Sequence, residues 1–405
     1  MSEAVAEWAA LEPAASATGR PEGLNYVPAV VAGALIAAAA AYLALAVNGR
    51  QSLLFLVGAA AGVILYHAAF GFTSSWRHFI QNGRGDGLRA QMLMLALTTV
   101  VFFPLIGHQA FGQTLRGSVS PVGVSVLAGA FMFGLGMQLG GGCASGTLYT
   151  AGGGNTRMLV TLAAFIAGSV IGTLHTPWWS KTPSFKPISI VTTFGVWQAL
   201  ALSLAGFAAI AAFTLIVERR KGPSGPWRPV RQPTGPRWSH GPWPLVAGAV
   251  GLAAVNIATL LIAGRPWGIT GAFALWGAKA LSAAKVGVES WPSWSSPAQR
   301  AALHAPIVAD ATSVMDIGLM LGAMTAAGLA GRFAPAWRIS GRSAATAVVG
   351  GLLLGYGARI AYGCNIGAYF SGIASGSVHG WVWLVAAFIG SIVGTKLVAS
   401  GALLE

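Results

Sequence analysis

A chain of 405 residues that is 55% hydrophobic and only 8% charged cannot cover a water-facing surface, since soluble domains carry roughly 25% charged residues. That balance excludes a soluble protein and defines an integral membrane one. The net charge of +14 does not imply nucleic acid as a partner, because the basic residues sit mainly in loops between apolar runs, as the positive-inside rule requires.

Residues 1–26 hold Ala, Ser and Glu with no apolar core, basic n-region or cleavage site, and are expected to form a cytoplasmic tail. Apolar runs of about 18 residues or more then predict about ten spans, near 28–47, 52–70, 91–107, 122–140, 158–174, 190–217, 244–263, 311–330, 344–361 and 381–400. Alternating strands are absent from the pattern, so the spans are helices rather than a barrel. The stretch 218–243 gathers Arg219, Arg220, Lys221, Arg228, Arg231 and Arg237 among prolines and reads as a basic cytoplasmic linker. It divides a first membrane repeat, 27–217, from a second, 244–405.

The division rests on a duplication. GLGMQLGGGCASGTLY (134–149) and GYGARIAYGCNIGAYF (355–370) match at one offset, and each carries one of the chain's two cysteines, Cys143 and Cys364. The match resumes at GSVIGT (168–173) and GSIVGT (390–395). A weaker correspondence joins Gly71-Phe72-Thr73 to Gly268-Ile269-Thr270, with a polar, Trp/Pro-rich insertion at 288–309 in the second half. With the linker cytoplasmic, counting spans puts Arg77, Arg84 and Arg89 in one cytoplasmic loop and Arg332, Arg338 and Arg342 in another. The two cysteine turns then enter from opposite sides of the bilayer. The expected fold is an all-α, polytopic membrane helix bundle. It is built of two inverted repeats whose broken, re-entrant short helices meet at the membrane centre.

The glycine run at 140–142 weakens a helix. Broken backbone at membrane depth is tolerated only where protein or a water-filled cavity surrounds it. Exposed N–H groups at such breaks suit an anion. The alternative, that glycines merely let helices pack closely, accounts for Gly134 and Gly355 but not for duplicated glycine–cysteine turns. A thiol is a weak donor and a soft acceptor, able to bind a sulfur-bearing anion loosely enough to release it. Buried acids are scarce, which favours an anionic permeant; Asp316 is read as a cap or an arginine's partner, or else a proton or sodium relay. Arg359 either draws an anion toward Cys364 or snorkels. Arg157 and Lys396 read as interface anchors, and His379 with Trp381 and Trp383 as an interfacial belt. Asn155 and Asn365 can donate amide hydrogens. No P-loop, Cys–X–X–Cys pair, haem histidine pair or HExxH motif occurs, so neither a cofactor nor a metal is expected.

At GGGCASGTLYTAGGGN (140–155), RPWGITGAFALWGAK (265–279) and GYGARIAYGCNIGAYFSGIASGS (355–377) the chain resembles the YeeE/YedE family of sulfur transport membrane proteins. The resemblance implies an hourglass-shaped helical protein whose substrate passes between cysteines through S–H hydrogen bonds. Cys143 and Cys364 match two of those cysteines. A third would fall near Thr73–Ser75, where hydroxyls stand instead.

The expectation is therefore a multi-pass inner-membrane permease, not an enzyme, with both termini cytoplasmic. Its substrate is a small sulfur-containing inorganic anion, thiosulfate first. The candidate binding residues are Cys143, Cys364, Gly142, Gly363, Asn365, Thr73, Ser74, Thr270 and Arg359. Besides the anion, the expected partners are the lipid bilayer and a cytoplasmic sulfur-accepting protein. The rival reading is a membrane thiol or persulfide relay enzyme, in which the two cysteines accept and pass sulfur.

Overall fold

The computed structural model describes residues 26–107, 115–222 and 236–400. The expected tail, to residue 25, and linker residues 223–235 lie outside them. The first series of helices is α1 (Val27–Tyr42), α2 (Gly49–Ala68), α3 (Phe72–Asn82), α4 (Asp86–Gly107), α5 (Val124–Gly140), α6 (Ala144–Gly152) and α7 (Thr156–Trp179). A short α8 (Ile190–Phe194) leads into α9 (Val196–Lys221). After α10 (Arg237–His240) come α11 (Leu245–Ala263), α12 (Thr270–Ala283), α13 (Pro297–His304), α14 (Ala311–Leu329) and α15 (Gly341–Ile360). A π-helical turn (Asn365–Phe370), α16 (Ser371–Ala374) and α17 (Val378–Ala399) complete the described chain. The one strand pairing between named strands is Val122–Gly123 with Ser184–Phe185. Among the described residues, ten helical segments are long and apolar enough to cross a membrane, as the sequence predicts, and the fold is an all-α polytopic bundle.

Glycine decides how the spans meet. Without hydrophobic drive between helices in lipid, small residues let backbones approach and pack. A Cβ on Gly134 of α5 would collide with the Ala387 carbonyl of α17. One on Gly355, the equivalent residue of α15, would collide with the Phe165 carbonyl of α7. Likewise α2 packs along α14, and α11, its counterpart, along α4.

The α5–α15 crossing reveals the symmetry. A Cβ on Gly129 would lie 2.7 Å from the Gly357 carbonyl oxygen, and one on Gly136 would lie 2.8 Å from that of Gly350. Gly350 and Gly357 are the repeat counterparts of Gly129 and Gly136. Each residue therefore meets the other's equivalent, the signature of a two-fold contact. The numbering also runs in opposite directions at the crossing, so two equivalent membrane helices are antiparallel. A two-fold that reverses a membrane-crossing helix lies in the membrane plane, which makes the repeats inverted. The α2–α11 contact agrees, since Gly251 faces Ile64 while Gly248 faces Ala68 and Phe70.

Flanking these contacts, α1 packs on α14 and α9 on α4. The 288–309 insertion folds into short helical turns. They dock on α7 through Ser293 Oγ, which donates to the Thr173 carbonyl at 2.7 Å, and through Trp294 Nε1, which donates to Thr173 Oγ1 at 3.4 Å.

Candidate permeation site

The first break begins where α5 ends. Gly141 takes φ +85° there, a conformation that L side chains rarely adopt. The carbonyls left open at this helix end are taken by Arg157. Its Nη1 donates to the Gly140 carbonyl at 2.7 Å, and its Nη2 donates to Leu139 at 2.9 Å and to Thr346 Oγ1 at 3.1 Å. Arg157 is 4% exposed. It braces the break and is not the interface anchor expected from the sequence. Cys143 then caps α6: its Sγ accepts from the Gly146 N–H at 3.4 Å and lies 3.4 Å from Ser145 Oγ.

Facing this turn is the break between α2 and α3. Between them lies a small cavity of about 30 Å³, lined by Thr73, Ser74, Arg77, Gly142, Cys143 and Tyr149 among others. Four of the expected site residues, Thr73, Ser74, Gly142 and Cys143, thus gather here. Thr73 Oγ1 is buried and has no partner within the protein. Gln138, fully buried, accepts from Arg77 Nε at 2.9 Å, and its Nε2 reaches the Thr73 carbonyl at 3.5 Å. The sequence reading missed Arg77, Gln138 and Tyr149. Arg77 had been assigned to a cytoplasmic loop, but it stands on α3 at the cavity wall. Its spacing of one helical turn from Thr73 was the available signal.

The second break carries Gly363, Cys364 and Asn365. Tyr362 and Gly363 take φ +58° and +149°, and Cys364 makes no side-chain cap before the π-turn. Cys364 and Asn365 are wholly buried. Both amide atoms of Asn365 lack a protein partner, a costly arrangement for polar groups out of water. The π-turn is tied to its surroundings by Tyr369 Oη, which donates to Gln91 Oε1 at 3.3 Å; Trp76 Nε1 donates to the same oxygen at 3.1 Å. Ser371 Oγ donates to the Trp267 carbonyl at 2.7 Å, which joins this break to the one before α12. Thr270 starts α12, half-buried. A Cβ on Gly268, Gly271 or Gly367 would meet nothing, so open space surrounds this side.

The two breaks touch, α6 against the π-turn. Cys143 and Cys364 belong to one buried cluster. Arg359 stands on α15 one turn before the second break, with its Cβ and Cγ against Gly172 of α7. It is the repeat counterpart of Gln138. His379 is not interfacial: it is 1% exposed, with Nε2 2.8 Å from the Ala361 carbonyl oxygen. Trp383 is fully buried, and Trp381 stacks on Phe207. Among the described residues, no group of His, Cys, Asp and Glu is arranged to hold a metal ion.

Fold and site together define a polytopic helical membrane protein in which two inverted repeats bring cysteine-bearing helix breaks to one buried waist. The family model described as Sulphur transport matches residues 67–393, and the chain belongs to that family. It is 26% identical over 349 residues to a thiosulfate transporter, TsuA, of Spirochaeta thermophila, covering 81% of this chain and 92% of that one. It is 25% identical to the Escherichia coli thiosulfate transporter TsuA, covering 83% and 91%. A shorter match, 32% identical over 135 residues, is to the probable transporter YedE of Escherichia coli and spans about a third (33%) of each chain.

Proposed function

We propose that this protein is an inner-membrane permease for a small sulfur-containing inorganic anion, thiosulfate first, which passes the waist between Cys143 and Cys364. The observation that carries the reading is the meeting of two cysteine-bearing breaks in one buried cluster, with unpartnered polar side chains beside them, Thr73 Oγ1 on the break that faces Cys143 and the Asn365 amide next to Cys364. Such groups wait for a ligand that can hydrogen-bond. Arg77 at the cavity wall supplies attraction, while thiols and hydroxyls hold weakly enough for release. The third cysteine that the family resemblance implies is replaced here by the hydroxyls of Thr73 and Ser74, both on the cavity wall. The arginine-rich loops support cytoplasmic termini, and a cytoplasmic sulfur-accepting protein would receive the product of uptake.

We take the membrane repeat to open with α1 in the first half and α9 in the second, because α1 packs on α14 as α9 packs on α4, and α14 and α4 are counterparts. The described part of the basic stretch 218–243 then lies within the second repeat, between α9 and α11.

The test is uptake of radiolabelled thiosulfate by proteoliposomes holding the purified chain alone, with sulfite, sulfide and selenium analogues as competitors. Saturable uptake inhibited by unlabelled thiosulfate supports the reading. No uptake, together with a stable persulfide on Cys143 or Cys364 in the mass spectrum, would replace it with the sulfur-relay enzyme.

A further inference from the structure

We propose that Asp316 is a proton-carrying site that couples passage of the anion to a proton gradient, an inference that rests on the permease reading above. Asp316 lies in the second turn of α14 and is 0% exposed. Neither of its carboxyl oxygens has a hydrogen-bond partner. The two roles expected for it from the sequence belong to other residues. Asp310 caps α14, accepting from the Ser313 N–H and Oγ at 2.7 Å each. Arg265 gives its Nη2 to Thr312 Oγ1 at 2.9 Å. The other acids on spanning helices among the described residues sit at helix ends beside a cation, Asp86 with Arg84 and Glu218 with Arg89.

An ionisable group inside a membrane bundle, turned away from lipid and held in spite of its cost, marks an ion or proton path. A carboxylate ion with no donor around it is among the most expensive groups to bury, whereas the neutral acid has only one O–H to place. The position suits coupling. Asp316 stands on α14, which packs on α6, the helix that Cys143 caps. The charged groups near the start of α14 are Asp310, its cap, and Arg265, bonded to Thr312. The remaining titratable groups on the packed elements are engaged elsewhere. Lys279 of α12 donates to the carbonyls of Leu303 and Ala305. On α2, Arg50 donates to the Ala263 carbonyl, His67 packs on Trp243 and Tyr66 on Gly153. Tyr149 of α6 lines the Cys143 cavity, His240 of α10 pairs with Ser239, and Tyr26 and Tyr42 at the ends of α1 are exposed.

The cycle follows from charge. With the proton absent, the carboxylate repels an anion at the waist. Taking up one proton from the outer compartment removes that repulsion and gives the anion an O–H donor. Anion and proton then leave on the inner side, and the carboxylate is restored. No bond to sulfur forms, and one proton crosses per anion.

The experiment uses the full-length protein in proteoliposomes with the membrane potential clamped at zero and a pH-sensitive dye trapped inside. An inside-alkaline gradient of one pH unit should drive about tenfold accumulation of labelled thiosulfate, with internal acidification as the anion enters. Asp316→Asn keeps the shape of a neutral acid without the exchangeable proton. It should still exchange internal for external thiosulfate, yet neither accumulate it nor move protons. Asp316→Glu should retain accumulation. Gradient-driven accumulation by Asp316→Asn would overturn the proposal. So would wild-type exchange that ignores the pH gradient, a result that needs no variant and leaves the permease reading standing. Absence of any thiosulfate exchange by the wild type would overturn both.

Discussion

Cys143 accepts a hydrogen bond from the Gly146 N–H and opens a regular helix, whereas Cys364 caps nothing and opens a π-turn. Around the first stand Ser74 and Arg77, with Gln138 behind Arg77. The residues that answer these three in the second half are Gly271, Ala274 and Arg359. The backbone breaks are alike because both repeats need a turn that only a protein-lined site can hold. The side chains differ because an inverted repeat presents its copies to opposite sides, and a transported ion meets them in sequence. The first copy is a polar cradle. The second has open space at three glycines and two unanswered amide atoms. On the permease reading, one side admits and the other holds.

The largest effect should come from the helix crossings that both halves share. Gly134→Leu and Gly355→Leu each drive a side chain into the backbone of the neighbouring span, where overpacking has nothing flexible to displace. Both should abolish assembly, measured as loss of the monodisperse peak in detergent. Normal folding of either would show that these crossings are not close-packed. Arg157→Ala comes next. It leaves the Leu139 carbonyl without its donor and the Gly140 carbonyl with Thr161 Oγ1 alone, at 3.3 Å, a loss of about 1–3 kcal/mol, read as a lower melting temperature. At the second break His379 stands in the corresponding place, with Nε2 2.8 Å from the Ala361 carbonyl oxygen; His379→Ala removes one contact rather than several and should cost less.

Much of this was legible in the sequence. The ten spans, the paired breaks and the inversion follow from apolar run length, glycine runs and charge placement. What the sequence concealed is which way each helix faces. A membrane helix is apolar toward lipid and toward its neighbours alike, so hydrophobic periodicity gives no direction. Arg157, His379 and Trp383 therefore read as interfacial, though they are buried, and Asp316 read as a cap, though Asp310 is the cap. Arg77 was hidden for a related reason. α3 is short and amphipathic, so its arginine looked like part of a loop.

The cysteines should matter less for folding than the glycines and more for uptake. On the permease reading, Cys143→Ala removes a helix cap and a contact to substrate, and Cys364→Ala a contact alone. A lost hydrogen bond is worth about 0.5–1.5 kcal/mol, so each should slow thiosulfate uptake by up to about tenfold per contact. Cys→Ser at either position should fall between wild type and Ala. Near-normal uptake by the double alanine variant would show the thiols to be packing residues.

The smallest effect separates the two turns most sharply. Gly146 and Gly367 are repeat counterparts, but a Cβ on Gly146 would lie 3.5 Å from Cys143 Sγ, whereas one on Gly367 would meet nothing. Gly367→Ala should therefore leave stability within about 1 kcal/mol of wild type. Its uptake should also be near normal, because one methyl narrows an open space only slightly. Gly367→Leu should fold equally well, since no neighbouring atom stands in the way, yet it should slow uptake by filling the approach to Cys364. Stability and uptake measured on the same preparations distinguish the outcomes. If Gly367→Leu folds and transports normally, the open side is not part of the path, and the comparison between a holding turn and an admitting turn fails.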